Sequence, residues 1–203
     1  MHITAIFFDL GNVLFEVHHE VLYEGVASQS DLEPQAVRDL LRSSELVSRF
    51  RLGKIEARSF FSGLKSELCF HGPEEHLASL WCAIIRPIPE NFACVYKLHP
   101  LYRLGVVSNT NETHCRYLEA SFEVLDCFET RIYSHLAGLE KPSPEIYHLA
   151  LRSLGVSAEE SLFIDDKEEN VAAAERLGMS TIHLTDPSSL SLRLKDALPG
   201  WKA

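Results

Sequence analysis

The amino-acid sequence predicts an α/β fold: a doubly wound, Rossmann-like parallel sheet whose core carries an inserted helical segment. Residues 3–8 form an apolar run broken only by Thr4, which indicates a first strand buried on both faces. From Leu101 onward, short apolar runs alternate with amphipathic helical patterns, as expected of parallel βαβ units. The sequence between these two parts contains no convincing strand before residue 98, so helices are predicted to interrupt the sheet after its first strand.

Residues 17–86 are predicted to form a small helical bundle. Apolar residues recur at helical spacing on both sides of Gly53, which interrupts the pattern. A last amphipathic helix through residues 77–85 should end before Pro87. The predicted domains are therefore a helical insertion of residues 17–86 and an α/β core of residues 1–16 and 87–203.

Four further strands are predicted in the second half of the chain, and they cover residues 104–107, 130–133, 161–164 and 181–184. Helices over residues 144–154 and 171–177 connect the later strands, and a glycine follows each helix. In a parallel sheet the carboxyl ends of the strands meet at one edge, where such folds bind their ligands. Polar residues that follow these strands are therefore the first candidates for a functional site.

Composition and charge exclude several classes of partner. The formal net charge of -10 at pH 7 argues against a broad nucleic-acid surface, which needs a basic face. The five cysteines form no CxxC pair, which favours reduced thiols over a zinc site. No apolar run is long enough to span a bilayer, and the N-terminus lacks signal-peptide features. We expect a cytoplasmic protein that binds a small molecule, neither nucleic acid nor membrane; the sequence leaves its oligomeric state open.

Polar residues at the predicted strand ends indicate phosphoryl chemistry. Asp9, Ser108 and the pair Asp165 and Asp166 directly follow strands, and Lys141 lies on a loop. Neighbouring carboxylates repel one another unless a cation joins them, and an all-oxygen set suits Mg²⁺. A hydroxyl, backbone amides and a lysine would complete a cradle for a phosphoryl group, which Asp9 could attack in line. Each of these residues alone is typical of a helix cap or a loop. Their occurrence together, in this order along the chain, favours a site for Mg²⁺ and a phosphoryl group.

These motifs resemble those of the haloacid dehalogenase superfamily of hydrolases, and the resemblance covers essentially the whole chain. The four family motifs correspond to residues 8–14 (FDLGNVL), 107–110 (VSNT), 141–142 (KP) and 163–166 (FIDD) with Asn170. Residues 51–55 (RLGKI) resemble a turn common in the helical C1-type caps of the superfamily. The motifs are most similar to the α-D-glucose-1-phosphate phosphatase branch. This resemblance implies a Mg²⁺-dependent phosphatase for a small phosphorylated metabolite, such as a sugar phosphate.

The resemblance also implies a role for each matching residue. Asp9 would be the nucleophile that forms an aspartyl-phosphate, and it would also bind Mg²⁺. Ser108 would hydrogen-bond the transferring phosphoryl group, and Lys141 would neutralise charge on that group and on the nucleophile. The other implied metal ligands are Asp165 and the Gly11 carbonyl, with Asp166 bound directly or through water. Asn170 would orient these ligands, and Asn109 with the Leu10 and Gly11 amides would donate to the phosphate.

Gly11 departs from the family pattern. Most phosphatases of the superfamily carry a second Asp at this position, where it serves as general acid and base. General acid catalysis is worth about 10²–10⁴-fold, so its loss should matter least for a leaving group that departs easily. A sugar 1-phosphate has such a leaving group. His18 or His19 could supply the proton instead, although motif-free histidines are more often simply exposed.

The helical insertion also contains candidate substrate contacts. Arg38, Arg42 and Arg86 are possible substrate-binding cations, and solvated helix faces explain them equally well. Trp81, at helical spacing, is predicted to be a core residue.

Two other functions remain open from the sequence. A 2-haloacid dehalogenase would share the fold and nucleophile, but it needs no metal, and the Asp165 and Asp166 pair would repel its anionic substrate. A non-catalytic phosphate-binding protein would result if activity was lost with the acid at Gly11. The presence of Asp9, Lys141 and both late carboxylates favours the phosphatase.

Overall fold

A computed structural model describes residues 2–199 and 201 of the chain. Its main strands are β1 (Ala5–Phe8), β4 (Arg103–Ser108), β5 (Thr130–Tyr133), β6 (Ser161–Asp165) and β7 (Ser180–His183). They form one sheet in the order β5-β4-β1-β6-β7, and every pairing is parallel. The α/β class is therefore confirmed, and each predicted strand is part of the sheet.

Two further strands lie outside this sheet. β2 (Phe15–Val17) and β3 (Ile85–Pro87) pair with each other in antiparallel register, with Val17 opposite Ile85. The expectation of no strand between β1 and residue 98 is therefore wrong. Strands of this length are too short to show an alternating pattern, and Ile85 also fits a helical repeat.

Five helices lie between β2 and β3, and we refer to residues 18–84 as the helical segment. The helices are α1 (His19–Ala27), α2 (Pro34–Ser43), α3 (Glu45–Arg51), α4 (Ala57–Glu67) and α5 (Glu74–Cys82). α5 ends before the predicted residue 85 because the chain becomes extended there to pair with β2. The division into domains at residues 17 and 86 stays a prediction.

The remaining helices cover the two faces of the sheet. Helices α9 (Pro144–Leu154) and α10 (Glu168–Arg176) pack on one face, over the buried Phe7 and Phe163. The other face carries α6 (Pro89–Leu98), α7 (Glu112–Ser121), α11 (Leu190–Ala197) and 3-10 helices at Glu123–Cys127 and Pro187–Ser189, and α8 (Ser134–Ala137) follows β5. The apolar core on that face continues into the helical segment. None of the helices in the described residues is long and apolar enough to cross a membrane.

The turn after α3 packs closely against the core below the helical segment. Gly53 has a φ of 67°, and a Cβ atom there would lie 1.9 Å from the carbonyl oxygen of His135. A glycine is required by both the conformation and the close approach. The hydroxyl of Ser134 lies 2.8 Å from the carbonyl oxygens of Arg51 and Thr110 and can donate to either. The RLGKI turn therefore contacts the core directly.

Candidate active site

Three adjacent strands bring the predicted acidic residues together at one edge of the sheet. β1 lies between β4 and β6 in parallel register with both. Asp9 follows β1, between Ser108 at the end of β4 and Asp165 at the end of β6. Asp9, Asp165 and Asp166 each offer one carboxylate oxygen, and these oxygens lie within 4.8 Å of one another. So close a group of negative charges requires positive charge beside it.

Lys141 provides part of that charge. Its buried Nζ lies 3.0 Å from Asp9 Oδ1 and 2.6 Å from Asp165 Oδ2. Burial acts to lower the pKa of Lys141, but the two carboxylates outweigh burial, and the pKa is raised above its ordinary value. Asn109 fixes the backbone of Lys141, accepting from its N–H at 2.8 Å and donating to its carbonyl oxygen at 2.9 Å. The lysine is therefore charged and held in place.

The Asp9 side chain is buried and has a defined orientation. The N–H of Leu10 donates to Asp9 Oδ1 at 2.7 Å, and Ser108, at the end of β4, lies beside the carboxylate. Burial raises the pKa of Asp9 and Lys141 lowers it, while the charge of Asp165 raises it further, so the net direction is upward. The Leu10 N–H, expected to bind phosphate, instead donates to the Asp9 carboxylate.

Asp165 is held by groups from two segments of the chain, the loop at Lys141 and the start of α10. Besides Lys141, its carboxylate accepts from the backbone N–H of Lys167 at 2.9 Å and from Asn170 Nδ2 at 2.9 and 3.1 Å. The hydroxyl of Tyr147 donates to the carbonyl oxygen of Asn170 at 2.9 Å. These bonds place Asn170 behind the carboxylate, in the position expected of a residue that orients it.

The donor set fits Mg²⁺. Mg²⁺ binds oxygen ligands, commonly one or two carboxylates together with water and phosphate oxygens. The cluster of Asp9, Asp165 and Asp166 supplies the carboxylates. Asn170 Oδ1 is a buried acceptor that receives no hydrogen bond from the described residues, so it is free to face a cation or its bound water.

A cavity of about 350 Å³ opens above this cluster. The predicted site residues that line it are Asp9, Leu10, Gly11, Ser108, Asn109, Lys141, Asp166 and Asn170, whereas Asp165 is fully buried beneath. The structure thus brings these residues together, and their individual roles stay predictions.

The residues of the helical segment that line this cavity differ from most of the candidates that the sequence suggested. His19 and Arg51 line it, and Arg51 Nε donates to Glu140 Oε2 at 2.8 Å. His18 does not line it, and its Nε2 lies 2.8 Å from Glu16. The cationic candidates Arg38, Arg42 and Arg86 are also absent from its walls. Trp81 is buried as predicted, and it also forms part of the wall.

Sequence reasoning missed several polar residues of the cavity, among them Asn12 and His114. His114 Nε2 lies 2.8 Å from the carbonyl oxygen of Trp81, and its Nδ1 lies 3.1 Å from Asn111 Nδ2. Burial lowers the pKa of His114 to about 4, so the ring is neutral and both nitrogens are already bonded. His114 has no local motif, and only the packing of α7 against α5 places it at the cavity.

Comparison with known proteins agrees with this geometry. Residues 3–178 match the model of a hydrolase family described as haloacid dehalogenase-like hydrolase. The chain belongs to this family. The resemblance of the four motifs is therefore confirmed at the level of the family, while the glucose-1-phosphate phosphatase branch stays a prediction.

Relatives within the family include phosphatases of different substrates. The chain is 30% identical over 195 residues to the sesquiterpene phosphatase astK of Aspergillus oryzae, covering 94% of each protein. It is 23% identical to the D-ribitol-5-phosphate phosphatase of Bacteroides thetaiotaomicron, covering 88% of this chain and 90% of that enzyme. A family enzyme from the same bacterium, solved in complex with magnesium and inorganic phosphate, superposes with a TM-score of 0.81 at 24% identity, over 89% of this chain and 93% of that one.

Proposed function

We propose that this protein is a Mg²⁺-dependent phosphatase that cleaves a small phosphorylated metabolite through an aspartyl-phosphate on Asp9. The observation that carries the proposal is the group of three carboxylates beside one buried lysine at the floor of a cavity. Such a floor binds a cation and a phosphoryl group together. A haloacid substrate would instead bring its own carboxylate next to Asp166, which has no cationic partner among the described residues.

The proposed reaction has two steps. An oxygen of Asp9 bonds to phosphorus while the bond from phosphorus to the leaving oxygen breaks. A water molecule then attacks phosphorus, the bond to Asp9 breaks, and inorganic phosphate leaves with the carboxylate restored. The proton that this water gives up to solvent balances the proton that the leaving oxygen takes from solvent. Lys141 balances negative charge on Asp9 in both steps, and Ser108 orients the reacting group. Mg²⁺ held by the carboxylates would supply further positive charge to the phosphoryl oxygens.

A sugar phosphate, such as glucose 1-phosphate, is the substrate class that the sequence favours. The similarity to a D-ribitol-5-phosphate phosphatase supports a polyol phosphate of this kind. Within this class, the absence of an acid at Gly11 favours a sugar 1-phosphate over the ester of a primary alcohol such as ribitol 5-phosphate, because the anomeric oxygen leaves more easily.

A second substrate class, a monophosphate with an apolar body, is favoured by the cavity walls. The apolar wall residues are Phe15, Val17, Val47, Trp81, Ile84, Ile85 and Leu118. Both nitrogens of His114 are already bonded, and Arg51 Nε is paired with Glu140. These three nitrogens are therefore not free to bind sugar hydroxyls, and each unpaired buried polar group costs about 1–3 kcal/mol. The similarity to a sesquiterpene phosphatase also supports this class.

Phosphate release from a substrate panel tests the proposal. The panel contains glucose 1-phosphate, ribitol 5-phosphate and farnesyl monophosphate, each assayed with Mg²⁺ and then with excess EDTA. We expect turnover that EDTA abolishes and added Mg²⁺ restores, and the highest kcat/KM identifies the substrate class. Binding of Mg²⁺ and phosphate without turnover on any member would instead favour the non-catalytic binding protein.

Gly11→Asp should increase the activity toward poor leaving groups. A Cβ at Gly11 would meet only Val17 Cγ2, at an ordinary 3.4 Å, so the position accepts a side chain. The new carboxyl group could donate a proton to an alkoxide, and we expect kcat for simple alkyl phosphates to rise about tenfold or more. Sugar 1-phosphates should gain much less. Equal gains for both classes would contradict the explanation of Gly11 by an easy leaving group.

A further inference from the structure

We propose that Asn12 is a positioning residue that holds Asp166 toward the cation and ties the cation site to strand β2. The inference rests on the proposed Mg²⁺-dependent function. Asn12 Nδ2 donates to Asp166 Oδ2 at 2.9 Å, across 154 positions of the sequence. Asn12 Oδ1 accepts from the backbone N–H of Val17, the last residue of β2, at 3.2 Å.

The contact with Val17 determines which end of the Asn12 amide faces Asp166. A backbone N–H can only donate, so the oxygen of the amide must point toward Val17. The NH₂ group is then directed at the carboxylate, which can only accept while it is ionised. Both ends of the amide are used, and the position of β2 thereby influences the orientation of Asp166.

The orientation of the Asp166 carboxylate depends on one partner, Asn12, whereas Asp9 and Asp165 each have several partners. Asp165 accepts from Lys141, the Lys167 N–H and Asn170. In residues 2–199 and 201, Asn12 is the one group that donates to the side chain of Asp166. Asp166 is also half-buried, whereas Asp165 is fully buried and constrained by packing. Removal of the Asn12 side chain therefore leaves Asp166 free to rotate away from the cation.

The backbone at Asn12 does not itself require asparagine. Its φ is 54°, in the left-handed region that favours glycine and that asparagine tolerates better than most residues. The N–H of Asn12 donates to the carbonyl oxygen of Phe15 at 2.6 Å, and this turn contact involves no side chain. Glycine would satisfy the same turn, so the contacts of the Asn12 side chain can be removed without straining the backbone.

Asn12→Gly is the variant that tests the proposal. We expect the dissociation constant for Mg²⁺, measured by calorimetry without substrate, to increase about tenfold, as is typical when a partner of a metal ligand is removed. The Mg²⁺ concentration for half-maximal turnover should increase in parallel. Thermal melting without metal serves as the check on folding.

Two controls separate positioning from general destabilisation. Asn91 is also buried, and its Nδ2 donates to the carbonyl oxygens of Val13 and Pro187 but to no carboxylate. Asn91→Ala should lower the melting temperature and leave the Mg²⁺ dissociation constant unchanged. In an Asp166→Ala background, Asn12→Gly should weaken Mg²⁺ binding no further, because Asn12 acts through Asp166.

The outcomes distinguish this inference from the proposed function. If Asn12→Gly binds Mg²⁺ as tightly as the wild type, the positioning role is refuted and the phosphatase proposal stands. The inference is also refuted if Asn12→Gly weakens binding equally in the Asp166→Ala background. If the wild type itself binds no Mg²⁺, the proposed metal dependence fails first, and the role of Asn12 fails with it.

Discussion

Replacement of Asp9 by Asn is expected to reduce phosphate release by on the order of 10⁴-fold or more, because the only proposed nucleophile is lost. The amide has nearly the same shape, and its oxygen can still accept from the Leu10 N–H and from Lys141. Lys141 also keeps Asp165 as a charged partner. The fold should therefore survive while an amide oxygen, which carries no negative charge, cannot attack phosphorus.

Rapid-quench labelling makes the Asp9 experiment specific to the mechanism. The wild type should transiently carry phosphate on Asp9, and Asp9→Asn should carry none. Asp186→Asn is a suitable control, since Asp186 is exposed and only caps a 3-10 helix. An Asp9→Asn protein that turns over near the wild-type rate would remove Asp9 from the proposed reaction.

Lys141→Met is expected to produce the largest loss of stability among the site variants. It leaves the carboxylates of Asp9 and Asp165 buried without their shared partner. Breaking a buried ion pair from one side typically costs about 3–5 kcal/mol of the free energy of unfolding. Chemical denaturation without metal measures this loss, and phosphate release should fall strongly as well because charge on Asp9 is no longer balanced.

Added Mg²⁺ should restore part of the stability lost in Lys141→Met. A cation bound to the same carboxylates replaces some of the missing positive charge and stabilises only the folded state. Lys97→Met, at an exposed position on α6, should change the free energy of unfolding very little. If Lys141→Met were as stable as Lys97→Met, the lysine would not be what balances the buried carboxylates.

The sheet and its edge could be predicted because they follow from local patterns. Apolar runs marked the strands, and the rule that parallel strands end at a common edge brought Asp9, Ser108 and Asp165 together. The short strands β2 and β3 could not be predicted, because their residues form strands only by pairing with each other. Pairing of this kind joins distant parts of the chain and leaves no periodic signal in either part.

The residues of the cavity that would surround a bound cation and substrate were harder to predict than the motif residues. Arg38, Arg42 and Arg86 were candidates because of their charge alone, and they lie away from the cavity that Arg51 lines. Asn12 lies inside a recognised motif, yet its contact with Asp166 depends on how two distant loops meet. Residue type indicated the chemistry of the site, but only tertiary packing decides which side chains share it.

The pairing of β2 with β3 has a consequence for how such a protein can change over evolution. The chain enters the helical segment after Val17 and leaves it before Ile85, and these two residues are direct neighbours in the pair. Helices between them can therefore be lengthened, shortened or exchanged without moving either end, and longer loops cost little additional closure entropy. The constraint on such exchange comes from the apolar core shared with the sheet, which any replacement must cover again. New substrates could thus be acquired by replacing the walls of the cavity while its floor stays unchanged.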